Sequence, residues 1–196
     1  MNCDTREIRA GFDQEGIFIF QAFRPAAAEW AVKNQKFGFG FSLKRFTWIK
    51  PSFGWMLYRS NFASKEGQEK ILRIKIHHAA FLFILENSIP AIYDPVLFPD
   101  IKEWHSKMKT HGLRYQWDPE RDLFLNKIIG VRSLQLGIGP PYIKSYAQDW
   151  VIEISDITEI CKNLQKIKGN HRYLKNPFPE SIYPLPLEVR YKLRCV

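Results

Sequence analysis

Twice within its first sixty residues the chain runs a short β-branched and aromatic stretch into a proline. The first is IFIFQAF, Ile17 to Phe23, followed by Pro25; the second is FTWI, Phe46 to Ile49, followed by Pro51. Proline has no N–H for a ladder and a φ already suited to a first helical turn, so each pair reads as a strand that gives way to a helix. The first helix carries an apolar stripe through Ala27, Trp30 and Ala31. The second runs through Trp55, Met56 and Tyr58, and spacings of three and four put Ser52, Trp55 and Arg59 on one face.

Later periodicities add strands faster than helices. Between the first two units FGFGFSLK alternates Phe with Gly, which reads as a loop or distorted edge strand and a cover over a cleft. EKILRIKI alternates Ile and Leu with Arg73 and Lys75, as a half-buried strand does. HHAAFLFILENS is a helix whose adjacent His77 and His78 point apart, a poor geometry for one metal, and they read as helix-start residues. Pro90 to Pro99 is a loop, and Asp100 to Thr110 an amphipathic helix. RYQWDPERDLFL reads as strand, turn at Asp118-Pro119, strand. VRSLQLGI, Val131 to Ile138, is a central strand with Ser133 and Gln135 on one face and Arg132, Leu134 and Leu136 on the other.

A helix over Tyr142 to Trp150, the strand WVIEISDI and a helix with Ile160, Leu164 and Ile167 follow. Beyond Gly169, roughly 170–196, comes a Pro- and Lys-rich tail that packs in part. The pattern is α+β, with mixed, largely antiparallel sheets and flanking helices in a single domain. GFGF lacks the strand, turn and helix of a dinucleotide fingerprint, which disfavours a doubly wound fold.

At 196 residues and 45% hydrophobic the chain can bury one substantial core. Its net charge of +9 favours phosphate-bearing or polyanionic partners, nucleic acid among them, although a solvated basic surface gives the same balance. Cys3, Cys161 and Cys195 are scattered and odd in number, which fits neither a disulfide framework nor a zinc ligand set and implies a reducing compartment. The opening MNCDTREIRA has no apolar core, and no window is long enough to span a bilayer. An intracellular protein, cytoplasmic or nuclear, with no membrane partner and no bound metal is expected; oligomeric state has no signature here.

Three polar clusters are site candidates. In FTWIKPSFGWMLYRS, Phe46 to Ser60, Lys50 at a helix start with Ser52 in the first turn makes an anion seat with Tyr58 and Arg59 near it; alternatively Ser52 only caps and Arg59 is a surface charge. In QWDPERD, Gln116 to Asp122, Asp118 and Glu120 offer a general base or acceptors for ribose hydroxyls, or else the run is a charged turn. In Arg132, Ser133 and Gln135, polar groups on a central strand must be paired or face a cavity, and Gln135 is the cleft-facing choice, with Arg132 structural. Gln21, isolated in an apolar strand, is a fourth candidate or a satisfied core amide.

Taken together, REIRA, FQAF, TWIKPSFGWMLYRS, GQEKIL, QWDPERD and RSLQLGI resemble, over most of the chain, the domain-of-unknown-function family four-two-nine-one. A fold-level resemblance runs to ADP-ribosyltransferases. IFIFQAFRPAAAEWAV is similar to their first strand and helix, TWIKPSFGWMLYRS to their second unit and RSLQLGI to the third. Gln21 stands where that pattern has Arg or His, and Gln135 near the place of its catalytic Glu, so Glu120 or Asp118 would supply the carboxylate.

That resemblance implies a split sheet around a cleft, NAD as substrate and no metal. Gln21, Trp48, Lys50, Ser52, Tyr58 and Arg59 would bind the cofactor, with Lys50 and Arg59 on its pyrophosphate and Trp48 or Tyr58 on its nicotinamide. Gln135, Glu120 and Asp118 would be catalytic, transferring ADP-ribose to protein or nucleic acid. The alternative is a non-catalytic nucleic-acid module in which Trp48, Trp55 and Phe39 stack on bases. A metal-dependent hydrolase using the carboxylates of QWDPERD ranks third.

Overall fold

The β-branched runs pair into three sheets, and the helices pack around them. A computed structural model describes residues 4–167 and 175–195. Cys3 and Gly169 lie outside these residues, as does part of the expected tail. In chain order the elements are β1 (Thr5–Arg6), β2 (Arg9–Ala10), β3 (Gly16–Phe23), α1 (Pro25–Asn34), β4 (Thr47–Ile49), α2 (Phe53–Ser60), β5 (Lys70–His77) and α3 (His78–Asn87). They continue as β6 (Ile89–Pro90), α4 (Ile101–Thr110), β7 (Leu113–Arg121), β8 (Lys127–Ile138), α5 (Ile143–Gln148), β9 (Val151–Asp156), α6 (Thr158–Ile167), β10 (Ser181–Ile182) and α7 (Leu187–Leu193).

One sheet orders β1-β8-β7-β6, with β4 also paired to β8; a second orders β3-β5-β9; β10 and β2 form a short ribbon. All pairings are antiparallel except β1 with β8 and β6 with β7. The expected α+β architecture is therefore the one observed. The two larger sheets meet where the Phe20 N–H donates to Lys50 O at 2.7 Å and the Lys50 N–H to Phe20 O at 3.2 Å.

The main core holds Ile19, Ile74, Phe81, Leu136 and Tyr146 between sheets and helices, and a second cluster packs Phe20, Phe53, Met56 and Leu57 against Ile157 and Cys161. β5 is buried on both faces because Lys75, 6% exposed, pairs with Asp13 at 2.8 Å and Glu15 at 2.5 Å. Arg73 lies over the Phe18 ring at 3.4 Å. Residues 175–195 bury Tyr183, Val189 and Leu193, and Leu193 O accepts from Trp117 Nε1 at 3.1 Å.

Two local readings need correction. Asp118-Pro119 is not a turn: β7 runs through it, and the chain reverses at Asp122, whose Oδ1 accepts from the Phe124 and Asn126 N–H groups, both at 2.8 Å. Pro119 is tolerated because β6 pairs only with Arg114 and Tyr115, leaving the far side of β7 open where the missing N–H would point or bulge. Pro51 also stands two places before the helix it is expected to open, since Ser52 caps α2 by accepting from the Trp55 N–H at 3.1 Å and the first helical residue is Phe53. Pro25 does open α1.

Helix α2 lies so close to β7 that a Cβ on Gly54 would sit 2.2 Å from Arg121 O. Elsewhere in a helix Gly→Ala stabilises by about 1 kcal/mol. Here the sign reverses: Gly54→Ala is expected to destabilise by about 2 kcal/mol, measured by urea denaturation, because backbone and not a flexible side chain must give way.

Candidate functional site

Where the two larger sheets meet they leave a cleft of about 930 Å³. Antiparallel register decides which side chains face it. Gln116 pairs opposite Gln135, Asp118 opposite Ser133, and Trp48 opposite Gly137, so these share one face of the sheet while Tyr115, Trp117, Leu134 and Leu136 take the other and join the core. Gly137 gives the Trp48 indole room to lie flat on the strand, with a Cβ there only 3.1 Å from the ring.

Two glutamines spend themselves on structure. Gln21 Nε2 donates to Thr47 Oγ1 at 2.7 Å and to Trp48 O at 3.0 Å, while its Oε1 accepts from the Tyr146 hydroxyl. Gln135 Nε2 donates to Asp118 Oδ2 at 2.5 Å, and Gln116 Nε2 to Asp118 Oδ1 at 2.7 Å. Burial raises the Asp118 pKa above the ordinary carboxylate value, against the Gln116 hydrogen bond and the nearby charges of Lys50 and Arg132.

Lys50 is different. It follows β4 directly, its backbone is held by Phe20, and its side chain lines the cleft at 5% exposure. Its ammonium has no hydrogen-bond or ion-pair partner among the described residues and stands 5.0 Å from the centre of the Trp55 ring. Burial, and then the charge of Arg59, lower its pKa to about 8, with Asp118 opposing. Trp55 Nε1, also buried at the cleft, likewise has no hydrogen-bond partner among the described residues. Arg24, Arg45 and Arg59 complete a basic wall.

The cleft thus gathers Gln21, Trp48, Lys50, Arg59 and Gln135, with Asp118 behind its two glutamines. It does not gather Ser52, Glu120 or Tyr58. Ser52 Oγ donates to Glu120 Oε1 at 2.7 Å, and both face a separate cavity of about 700 Å³ on the other side of α2. Glu120 keeps the face of Asp118, since its carboxyl also hydrogen-bonds Ser133, the residue opposite Asp118; what separates it from the cleft is α2, packed across β7 at Gly54. Tyr58 is on the outer side of α2 with the Arg121 guanidinium 3.8 Å over its ring.

Arg24 and Arg45 escaped the sequence reading, as did Tyr146. Arg24 had a signal, since it precedes Pro25 as Lys50 precedes Pro51: both strand-to-helix junctions place a cation at the cleft. Glu180 had none. It reaches the second cavity from the tail, and its Oε1 accepts from the Phe53 N–H at 2.7 Å. Among the described residues no group of three or more His, Cys, Asp or Glu is placed to hold a metal ion, and no helix is long and apolar enough to cross a membrane.

Burial, with the charge of Glu120 adding, raises the Glu180 pKa from 4.5 to about 7. The folded state therefore binds more protons than the unfolded chain between those values, so this group's contribution to stability is present below the lower one and is lost as pH rises through the upper. Urea midpoints at about pH 5 and about pH 8 should show that loss in the native sequence, and a smaller one in Glu180→Gln.

Residues 7–183 match the model of the family described as Domain of unknown function (DUF4291). No curated protein matches the chain, and nothing in these comparisons supports the resemblance to ADP-ribosyltransferases.

Proposed function

The chain belongs to this DUF4291 family, whose name carries no reaction, and we propose that the cleft is the nucleotide site of a transferase, with NAD as the candidate donor. The observation that carries the reading is Lys50: a cation nearly removed from water, with no hydrogen-bond or ion-pair partner among the described residues, and walled by further arginines. Such a charge is costly unless a ligand supplies the anion. Phosphate oxygens fit that need, with guanidinium forks beside the ammonium. Trp48 and Trp55 offer ring surface to a base or nicotinamide.

For ADP-ribosyl transfer the carboxylate would be Asp118, held by Gln116 and Gln135, since Glu120 faces the other cavity. A second reading draws on Phe39, which is 64% exposed at the cleft rim near Arg45. An exposed ring beside cations suits a nucleic-acid strand, as acceptor or as ligand.

Titration calorimetry with NAD tests the first reading. Lys50→Met and Arg59→Ala should each weaken binding by about 10- to 100-fold, as loss of a charge-assisted contact does. Affinity in the native sequence should fall as pH rises past about 8, where Lys50 loses its proton. Absence of binding by NAD at low salt would overturn the reading. Binding of single-stranded RNA instead, with affinity falling steeply as salt rises, would establish the second.

A further inference from the structure

Most polar groups at the cleft are already engaged. Both Asp118 oxygens accept from glutamines, and the Gln21 amide is bonded at its nitrogen and its oxygen. Two adjacent buried groups have no hydrogen-bond partner among the described residues: the Lys50 amine, which stands over the Trp55 ring, and the Trp55 indole N–H. An amine without a hydrogen-bond partner has its lone pair available once the proton is lost, and an indole N–H can donate to an oxyanion but to nothing cationic.

We infer that Lys50 is a nucleophile: it attacks a phosphoanhydride phosphorus of the bound nucleotide and carries the nucleotidyl group as a phosphoramidate before passing it to an acceptor. The inference rests on the nucleotide reading above and deepens it by choosing which bond breaks. Phosphorus is the electrophile indicated because the arginines facing Lys50 match phosphate oxygens, whereas a carbonyl electrophile needs no guanidinium wall. A nucleophilic amine at the phosphates would break a P–O bond and leave the glycosidic bond intact.

The neutral Lys50 Nζ forms a P–N bond; the phosphoanhydride P–O bond breaks, and NMN leaves from NAD, or pyrophosphate from ATP, with the bonding electron pair. Asp118, whose charge acts on Lys50, takes the proton released by the nitrogen. Trp55 Nε1 donates to a non-bridging oxygen as charge builds there. An acceptor hydroxyl then attacks the phosphorus, the P–N bond breaks, and its proton and that on Asp118 restore the amine to its ammonium form. The Mg²⁺ that accompanies such nucleotides in solution is the only co-reactant required.

The test incubates the full chain with Mg²⁺ and either ATP or NAD labelled in the adenine, followed by denaturation, intact-mass measurement and peptide mapping. The expected result is an adduct with the mass of one AMP on Lys50, released by mild acid and stable to alkali. Its formation rate should rise with pH to about 8 and then level, as the neutral amine saturates. Lys50→Arg should reduce labelling to background; where that variant fails to fold, the site of the adduct in the native sequence decides alone. Nucleotide binding by calorimetry without an adduct on Lys50 overturns the inference and leaves the nucleotide reading standing. An adduct with the mass of ADP-ribose overturns it in favour of glycosidic cleavage, and absence of nucleotide binding overturns both.

Discussion

The pair of backbone hydrogen bonds between Phe20 and Lys50 is the constraint on which the site depends. It is an isolated bridge, joining the end of β3 to the residue after β4 and so one sheet to the other. Gln21 reinforces it from the next position with bonds to Thr47 and Trp48, and Tyr146 closes the set from α5. The main chain of Lys50 is fixed this way, and its buried amine, over the Trp55 ring, has no hydrogen-bond or ion-pair partner among the described residues. A rigid frame therefore holds the amine in place, and a site ordered in advance reduces the entropy lost on binding.

Helix α2 divides the polar chemistry of the chain. Trp55 and Arg59 look to the basic cleft, whereas the capping Ser52 and the helix N-terminus look to a carboxyl pair, Glu120 and Glu180, on the opposite side. The two environments shift protons in opposite senses for one reason. Burial disfavours charge, so the lysine tends to lose its proton and the carboxyls to keep theirs. Close packing of α2 on β7 at Gly54 keeps the two sides apart.

Much of this arrangement was legible in the residue order, where local chemistry and tertiary need agreed. Ile17 to Phe23 and the residues after Pro25 are strand and helix in both readings, and Gln135 is on a central strand, paired on either side by β4 and β7 or their neighbours. Lys50 stood out because a cation beside a proline-marked helix start is informative by position alone. Glu120 shares the face of Asp118, as like parity predicts, but α2 crosses β7 at Gly54 and leaves it at the other cavity. Asp118-Pro119 looked like a turn because the same dipeptide suits a turn and an unpaired strand edge, and only the short reach of β6 separates the two.

What the chain's order settles is the inventory: two strand-to-helix junctions each preceded by a cation, aromatic rings beside them, an α+β mixture and family membership. These follow from backbone propensity and from motifs contiguous in sequence. Which of those groups converge is decided by the fold. Strand register and the placement of α2 across β7 put Lys50, Arg59 and Gln135 at one cleft and Ser52 and Glu120 at another, and the tail brings Glu180, more than a hundred residues away from its partner Phe53, to the capped end of α2. Side-chain convergence over such separations depends on pairing geometry, which no local window of sequence contains.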